Sequence, residues 1–230
     1  MKKARNKNQD PKKRRLLSEK EEEKILKKAR FPQFGFRLYA VAALFAGIAL
    51  LAICYGNSFT WVEQKRIIKK GKEGDVMHIY TNLNKKELRF LHQKAERLSK
   101  RATRGREYTL LTERMLATVL DSAHAGVGIA APQVGIGKQV IAVQRFDKEG
   151  HPFEFYINPT IEYYSPEEKW GWEGCLSVPG RRDTVLRSTH VVVSYRDRNS
   201  WKLLRDTVEG YTAVIFQHEV DHLNGKLYID

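Results

Sequence analysis

The chain has 230 residues, 30% of them charged and 42% hydrophobic, with a formal net charge of +14 at pH 7, room for one ordinary domain and an appendage. Its excess charge lies early: residues 1–37 carry 14 Lys/Arg against 5 Asp/Glu, 38–74 carry 5 against 2, and 75–230 carry 22 against 20. The C-terminal two-thirds is nearly neutral, so charge gives no ground for specific nucleic-acid binding there.

Residues 1–37 form a basic tail with few apolar residues, expected to be disordered or transiently helical. Residues 38–55 (LYAVAALFAGIALLAICY) are 18 uncharged, mostly apolar residues. As a helix they would extend roughly 27 Å, close to the hydrocarbon thickness of a bilayer. The run is apolar all round rather than striped, and Tyr39, Tyr55 and Trp61 lie at or beyond its ends, so a transmembrane anchor is expected. A long basic region precedes it and no small-x-small cleavage site follows, which favours an uncleaved anchor over a removable signal. Six Lys/Arg in the 20 residues before the run and five in the 20 after it leave the orientation undecided. Only Cys54 and Cys175 are present; the count fits a reducing compartment, and a bridge to a cysteine in lipid is implausible.

Residues 56–74 read as a polar linker, with a domain at 75–230. Asn84 is placed to cap a helix over 85–101, with Leu88, Leu91, Ala95 and Leu98 at helical spacing. A second helix is expected over 110–123, its stripe including Leu111, Met115 and Val119. Beyond Gly126 the pattern turns to strands at 139–146, 153–157 and 190–195, rich in Val, Ile and aromatics. The last element, 210–223, is a helix closed by Asn224-Gly225. Helices, then strands, then a helix predict an α+β domain: small antiparallel or mixed sheets around a C-terminal helix that carries the chemistry, with the membrane helix outside the domain.

That chemistry is most visible in His218-Glu219-Val220-Asp221-His222. Histidines at i and i+4 on a helix point the same way, so both imidazoles can reach one metal ion. The adjacent Glu219 can approach a water beside that ion. Taken alone, the pattern also fits a surface histidine pair. A catalytic metal needs a third protein ligand, and Cys175, the one cysteine outside the apolar run, is the outstanding candidate. A third cluster, Gly126-Val127-Gly128-Ile129-Ala130-Ala131-Pro132-Gln133, combines small residues that allow close approach with Gln133, an amide able to donate to developing negative charge. By itself this stretch could be a turn.

In this order and spacing, the three clusters resemble the signature motifs of the peptide deformylase family: a Gly-Gly-Ala-Ala-x-Gln strand, a Glu-Gly-Cys-Leu-Ser loop around Cys175 and a Gln-His-Glu-x-Asp-His helix beginning at Gln217. The resemblance covers 75–230. It implies a hydrolase that removes the formyl group from the N-terminal methionine of new polypeptides. It also implies Cys175, His218 and His222 as ligands of one divalent metal, usually iron(II), with zinc or nickel as substitutes. Glu219 would be the general acid/base, and Gln133 and the Leu176 N–H the oxyanion donors. Substrate would lie extended against Val127, Gly128 and Gly174, with Val214 in the methionine pocket and Arg182 near downstream residues. Glu173 and Arg187 resemble the family's structural ion pair, and Asp221 is expected to orient a ligand or the helix. The sequence ends eight residues after His222, so the C-terminal helix that docks some relatives on ribosomes is not expected.

Two further readings stand beside this one: a related metallo-amidase for another N-acyl peptide, and a membrane-anchored binding protein without activity. Expected partners are formylmethionyl nascent peptides, the membrane, and ribosomes or anionic lipid through the basic tail. Because formylated chains emerge in the cytoplasm, the domain is expected on the cytoplasmic side of a bacterial inner membrane.

Overall fold

The computed structural model describes residues 58–69, 76–121 and 125–230, with short helical pieces at 19–21, 23–24 and 41–45. Two compact units divide the chain, Met1–Gly56 and Asn57–Asp230, and the second holds both sheets and the helices packed on them. No helix among the described residues is long and apolar enough to cross a membrane. Apart from 41–45, the apolar run expected to form an anchor lies outside the described residues, as does Cys54.

The second unit starts upstream of the boundary expected near Asp75. Within the stretch read as a polar linker lies helix α1, Trp61–Lys69. Thr60 begins it with a capping box: its N–H and hydroxyl both donate to Glu63 at 2.7 and 2.9 Å, and the Glu63 N–H donates back at 3.3 Å. Phe59 and Ile67 are buried in the domain core. The other carboxylate oxygen of Glu63 accepts the Gly137 N–H at 2.8 Å. The segment is thus part of the fold despite its charges.

Helix α2, Lys85–Leu91, begins where expected, with the Asn84 side chain accepting from the N–H groups of Lys86 and Glu87. It does not run on to 101. From His92 the chain extends, and its backbone bonds go elsewhere: Ala95 N–H to Leu223 O and Glu96 N–H to Gly137 O, both at 2.8 Å. Asn158 pins the same stretch, accepting from Leu98 N–H at 2.7 Å and donating to Leu98 O at 2.8 Å. Leu91, Ala95 and Leu98 are buried, as their spacing suggested. Two different elements bury them, and tertiary pairing overrides the apparent helical period. After a short α3, Lys100–Thr103, helix α4 covers Arg106–Leu120, earlier at both ends than read.

Seven strands come next: β1 Gly128–Ala130, β2 Val140–Gln144, β3 Phe153–Tyr164, β4 Glu168–Cys175, β5 Val178–Ser188, β6 His190–Arg196 and β7 Leu203–Glu209. Five make one antiparallel sheet in the order β1-β2-β3-β6-β7, while among the described residues β4 and β5 pair only with each other. Helix α5, Gly210–Leu223, closes the fold with the bounds read from sequence.

Alternation along the strands builds two cores. Ile129, Val140, Ala142 and Ile157 pack with Leu111, Met115 and Val119 of α4. Their neighbours Ala130, Ile141, Val143 and Tyr156 pack with Ala213, Ile215, Phe216 and Val220 of α5. Each such aliphatic side chain contributes about 1.5–3 kcal/mol when fully buried. The helix carrying the motif histidines is therefore fixed against the central strands.

Arg145, 2% exposed, directly follows β2 and gathers Asp147 at 2.6 Å, Asp206 at 2.7 Å and the Tyr156 hydroxyl at 2.6 Å. Hydrogen bonds from Arg145 hold the Asp147 carboxyl at about 2. A carboxylate depressed in the fold stabilises it above its unfolded value near 4, and loses that contribution as pH falls towards 2. We expect Asp147→Asn to lower the urea midpoint at pH 6 and to match wild type near pH 2. Urea titrations at both pH values check this; an equal gap at both would contradict it.

Candidate active site

Three elements bring the motifs together. Helix α5 presents His218, Glu219 and His222 on one face; β4 ends at Cys175; and a 3₁₀ turn, Ala131–Val134, follows β1 and carries Gln133. The chain closes tightly after Cys175, where the β4–β5 register shifts between Gly174 and Cys175 before Cys175 pairs with Val178. Ligand atoms of Cys175, His218 and His222 all lie within 4.8 Å of one another, and Cys175 Sγ is 3.2 Å from His222 Nε2. Donors on one four-coordinate ion at ~2.0–2.3 Å stand roughly 3.3–3.8 Å apart, so small side-chain shifts suffice to hold one.

One donor, His218, is held from behind. His218 Nδ1 lies 2.8 Å from Glu173 Oε2, which leaves Nε2 to face the centre. Arg187 clamps the same carboxylate, at 2.7 Å from Nε and 3.1 Å from Nη2, and reaches Asp221 at 2.5 Å with Nη1. Burial works to raise the Glu173 carboxyl, but hydrogen bonds from His218 and Arg187 hold it at about 2. Burial likewise opposes charge on His218, yet the Cys175 sulfur and the Glu173 carboxylate outweigh it and hold that imidazole well above its ordinary value. His222, buried and facing His218 and Arg187, is held well below. A proton held among soft donors is what a divalent cation displaces.

Glu219 is 3% exposed, and its Oε2 has no hydrogen-bond partner among the described residues. Burial pushes its carboxyl up to about 7. A buried carboxylate oxygen without a partner among the described residues, beside three convergent donors, fits a resident cation with a water next to it. Gln133 is oriented by its own turn: Oε1 accepts the Ala130 N–H at 2.8 Å, so Nε2 points to Cys175 Sγ at 3.5 Å and Ser177 Oγ at 3.3 Å.

A cleft of about 560 Å³ opens over this centre. Val127, Gly128, Gly174, Leu176, Arg182 and Val214 all line it, with Gln133, Cys175, His218 and Glu219; His222 lies buried behind the cleft wall. Trp172, Tyr211 and Ser177 were not singled out from sequence. Trp172 and Tyr211 line the cleft, and Ser177 donates its N–H to the Cys175 sulfur at 3.4 Å. Signals for the first two lay in plain view, a Trp three residues before Cys175 and a Tyr seven before His218. Gln217, though in the motif, faces away, donating to Ser188 O at 2.9 Å and so tying α5 to the end of β5.

Gly128 is required by close approach. A Cβ there would stand 2.5 Å from Glu219 Oε1 and 2.8 Å from Ile215 Cγ2. Gly128→Ala is expected to displace the carboxylate and cut kcat by about 10–100-fold with secondary structure retained, since a displacement near 1 Å costs on that order. Steady-state rates beside circular dichroism check it; an unchanged kcat would contradict it.

A sulfur and two imidazoles facing one point, with a buried carboxylate beside them at the floor of a cleft, define a metallohydrolase centre on an α+β fold. Comparison with known proteins narrows the class. The polypeptide deformylase family model matches residues 78–230. A peptide deformylase of Leptospira biflexa is 38% identical over 148 residues, 61% of this chain and 80% of the relative. One from Symbiobacterium thermophilum is 41% identical over 147 residues, 62% and 65% of the two chains. Among solved structures, the Met-Ala-Ser-bound class I type b peptide deformylase of Acinetobacter baumannii superposes with a TM-score of 0.60 at 34% identity, covering 68% of this chain and 98% of that one. The actinonin-bound peptide deformylase of Synechococcus elongatus gives 0.58 at 36% identity, covering 67% and 77%. This chain belongs to the peptide deformylase family.

Proposed function

We infer that the chain hydrolyses the formyl amide at the N-terminus of formylmethionyl peptides, releasing formate and a free amine. The observation that carries this is the buried Glu219 carboxylate, its Oε2 without a partner among the described residues, beside the Cys175, His218 and His222 donors at the cleft floor.

Cys175, His218 and His222 would hold one divalent cation, iron(II) in our reading, since a thiolate and imidazoles suit borderline metals including zinc and nickel. The ion supplies Lewis acidity and brings the pKa of a neighbouring water towards 7. Glu219 accepts the proton of the attacking water, and its low exposure keeps that proton from bulk solvent. As the formyl C–N bond breaks, the same carboxyl returns the proton to the departing amine nitrogen. Gln133 Nε2, its amide already oriented by Ala130, donates to the formyl oxygen as charge grows there, with the Leu176 N–H as second donor. Glu173 keeps His218 turned inward, and Arg187 keeps Glu173 ionised.

The edges of two sheets frame the cleft. β1 ends the five-stranded sheet and, among the described residues, β4 pairs only with β5. An extended peptide would add between Val127–Gly128 and Gly174, its methionine beside Val214 and its downstream residues towards Arg182. The test is metal-loaded full chain with a formyl-Met-Ala-Ser peptide. Formate release that tracks bound metal is expected, and metal-bound protein without release would overturn the reading.

Anchoring belongs to the same reading: the 18 uncharged residues at 38–55 hold the domain at a bacterial inner membrane, on the cytoplasmic side where formylated chains arise. The basic residues 1–37 are suited to anionic lipid or ribosomes at that surface. Protease added outside intact spheroplasts should leave the domain whole, and its digestion would reverse the assigned side.

A further inference from the structure

The β4–β5 hairpin carries more apolar surface than the chemistry needs. Trp170 and Trp172 are 64% and 67% exposed, and Leu186 is 39% exposed. Cross-strand register pairs Trp170 with Leu186, Trp172 with Thr184 and Gly174 with Arg182. Residues two apart on a strand share a face, so one face of the hairpin runs from Gly174 and Arg182 through Trp172 to Trp170 and Leu186. The opposite face is occupied, since Glu173 and Arg187 turn inward to each other and to His218. Clustered exposed tryptophans on a soluble surface mark a contact site more often than chance scatter.

Two observations identify the occupant. First, the face is continuous with the cleft: Trp172, Gly174 and Arg182 line it, and Trp170 and Leu186 extend the same face outward. Second, β4 lacks a partner on its other edge among the described residues, and it points its C-terminal end at Cys175. A chain paired to that edge with its first residue at the centre must travel back along β4. Four residues separate Gly174 from Trp170, about 13 Å of strand.

We propose that this face is an extended subsite for the substrate's own downstream segment, engaging apolar side chains at roughly the fifth to seventh residues of the nascent chain. It rests on the deformylase reading and deepens it, making the chain selective for formylated polypeptides whose early residues are apolar. Trp170 and Leu186 set that preference, touching substrate well away from the reacting bond.

The test compares formyl-Met-Ala-Ser with two octapeptides that begin with those three residues, one with Leu at positions 5–7 and one with Ser there. On wild-type full chain, kcat/KM for the Leu octapeptide should exceed that for the tripeptide about fivefold to tenfold, the scale of one apolar side chain roughly half buried. The Ser octapeptide should match the tripeptide. In Trp170→Ser/Leu186→Ser the ratio of Leu octapeptide to tripeptide, both measured on the same variant, should fall to near one. A wild-type ratio near one, or a ratio the variant preserves, overturns the subsite; if a lipid surface covered this face instead, the ratio would be preserved. Failure of the tripeptide itself on metal-loaded protein would instead overturn the deformylase reading.

Discussion

Cys175→Ala should leave a chain that retains its fold, binds well under one metal per molecule and releases formate at the background rate. Three soft donors converge here, and two imidazoles without the sulfur make a far weaker site. The loss extends past the ion, because the sulfur also accepts from Gln133 Nε2 and the Ser177 N–H and lies 3.2 Å from His222 Nε2. Removing it loosens the oxyanion donor together with the ligand set. Metal analysis after dialysis, with a formate assay on the same sample, checks both parts. Near-stoichiometric metal with a wild-type rate would mean that the sulfur is not a ligand.

Glu219→Gln separates chemistry from binding of the ion. Glutamine fills the same volume but cannot take a proton, so kcat should fall about 10²–10⁴-fold while metal content stays at wild-type level. Stability points the other way. Burial already pushes this carboxyl up to about 7, so its charged form is costly in the fold, and Oε2 has no partner to lose among the described residues. The thermal midpoint should hold or rise. A variant that is slow because it unfolds, or one that keeps its kcat, would each remove Glu219 from the role of base.

Much of the site was legible because its spacing is local. An i, i+4 histidine pair names one helix face, and Asn224-Gly225, with Gly225 at φ +73°, ends that helix where the turn residues say it should. Strands β2 and β6 announced themselves as Val- and Ile-rich runs. The hairpin that carries Cys175 did not, since both its strands are mostly exposed and offer no apolar alternation. Its Glu173–Arg187 pair therefore came only from resemblance to a family, while the contact of Glu173 with His218 and the Trp170–Leu186 face did not emerge at all.

Helix α1 was hidden for the opposite reason. Lys65, Arg66 and Lys69 give it the composition of a linker, while its reason for folding lies 74 residues away, in the loop after Gln133 where Glu63 meets Gly137. The stretch after α2 misled through true information: Leu91, Ala95 and Leu98 are buried at helical spacing, yet backbone bonds to Leu223 and Gly137 draw the chain straight. Periodicity reports which residues are buried; long-range hydrogen bonds decide in what shape.

The central claim is that Cys175, His218 and His222 grip a single cation together. X-ray absorption at the metal edge of the iron- or nickel-loaded full chain tests it directly. One sulfur at about 2.3 Å and two nitrogens at about 2.0–2.1 Å are expected in the first coordination shell. A shell of oxygen and nitrogen without sulfur would contradict it.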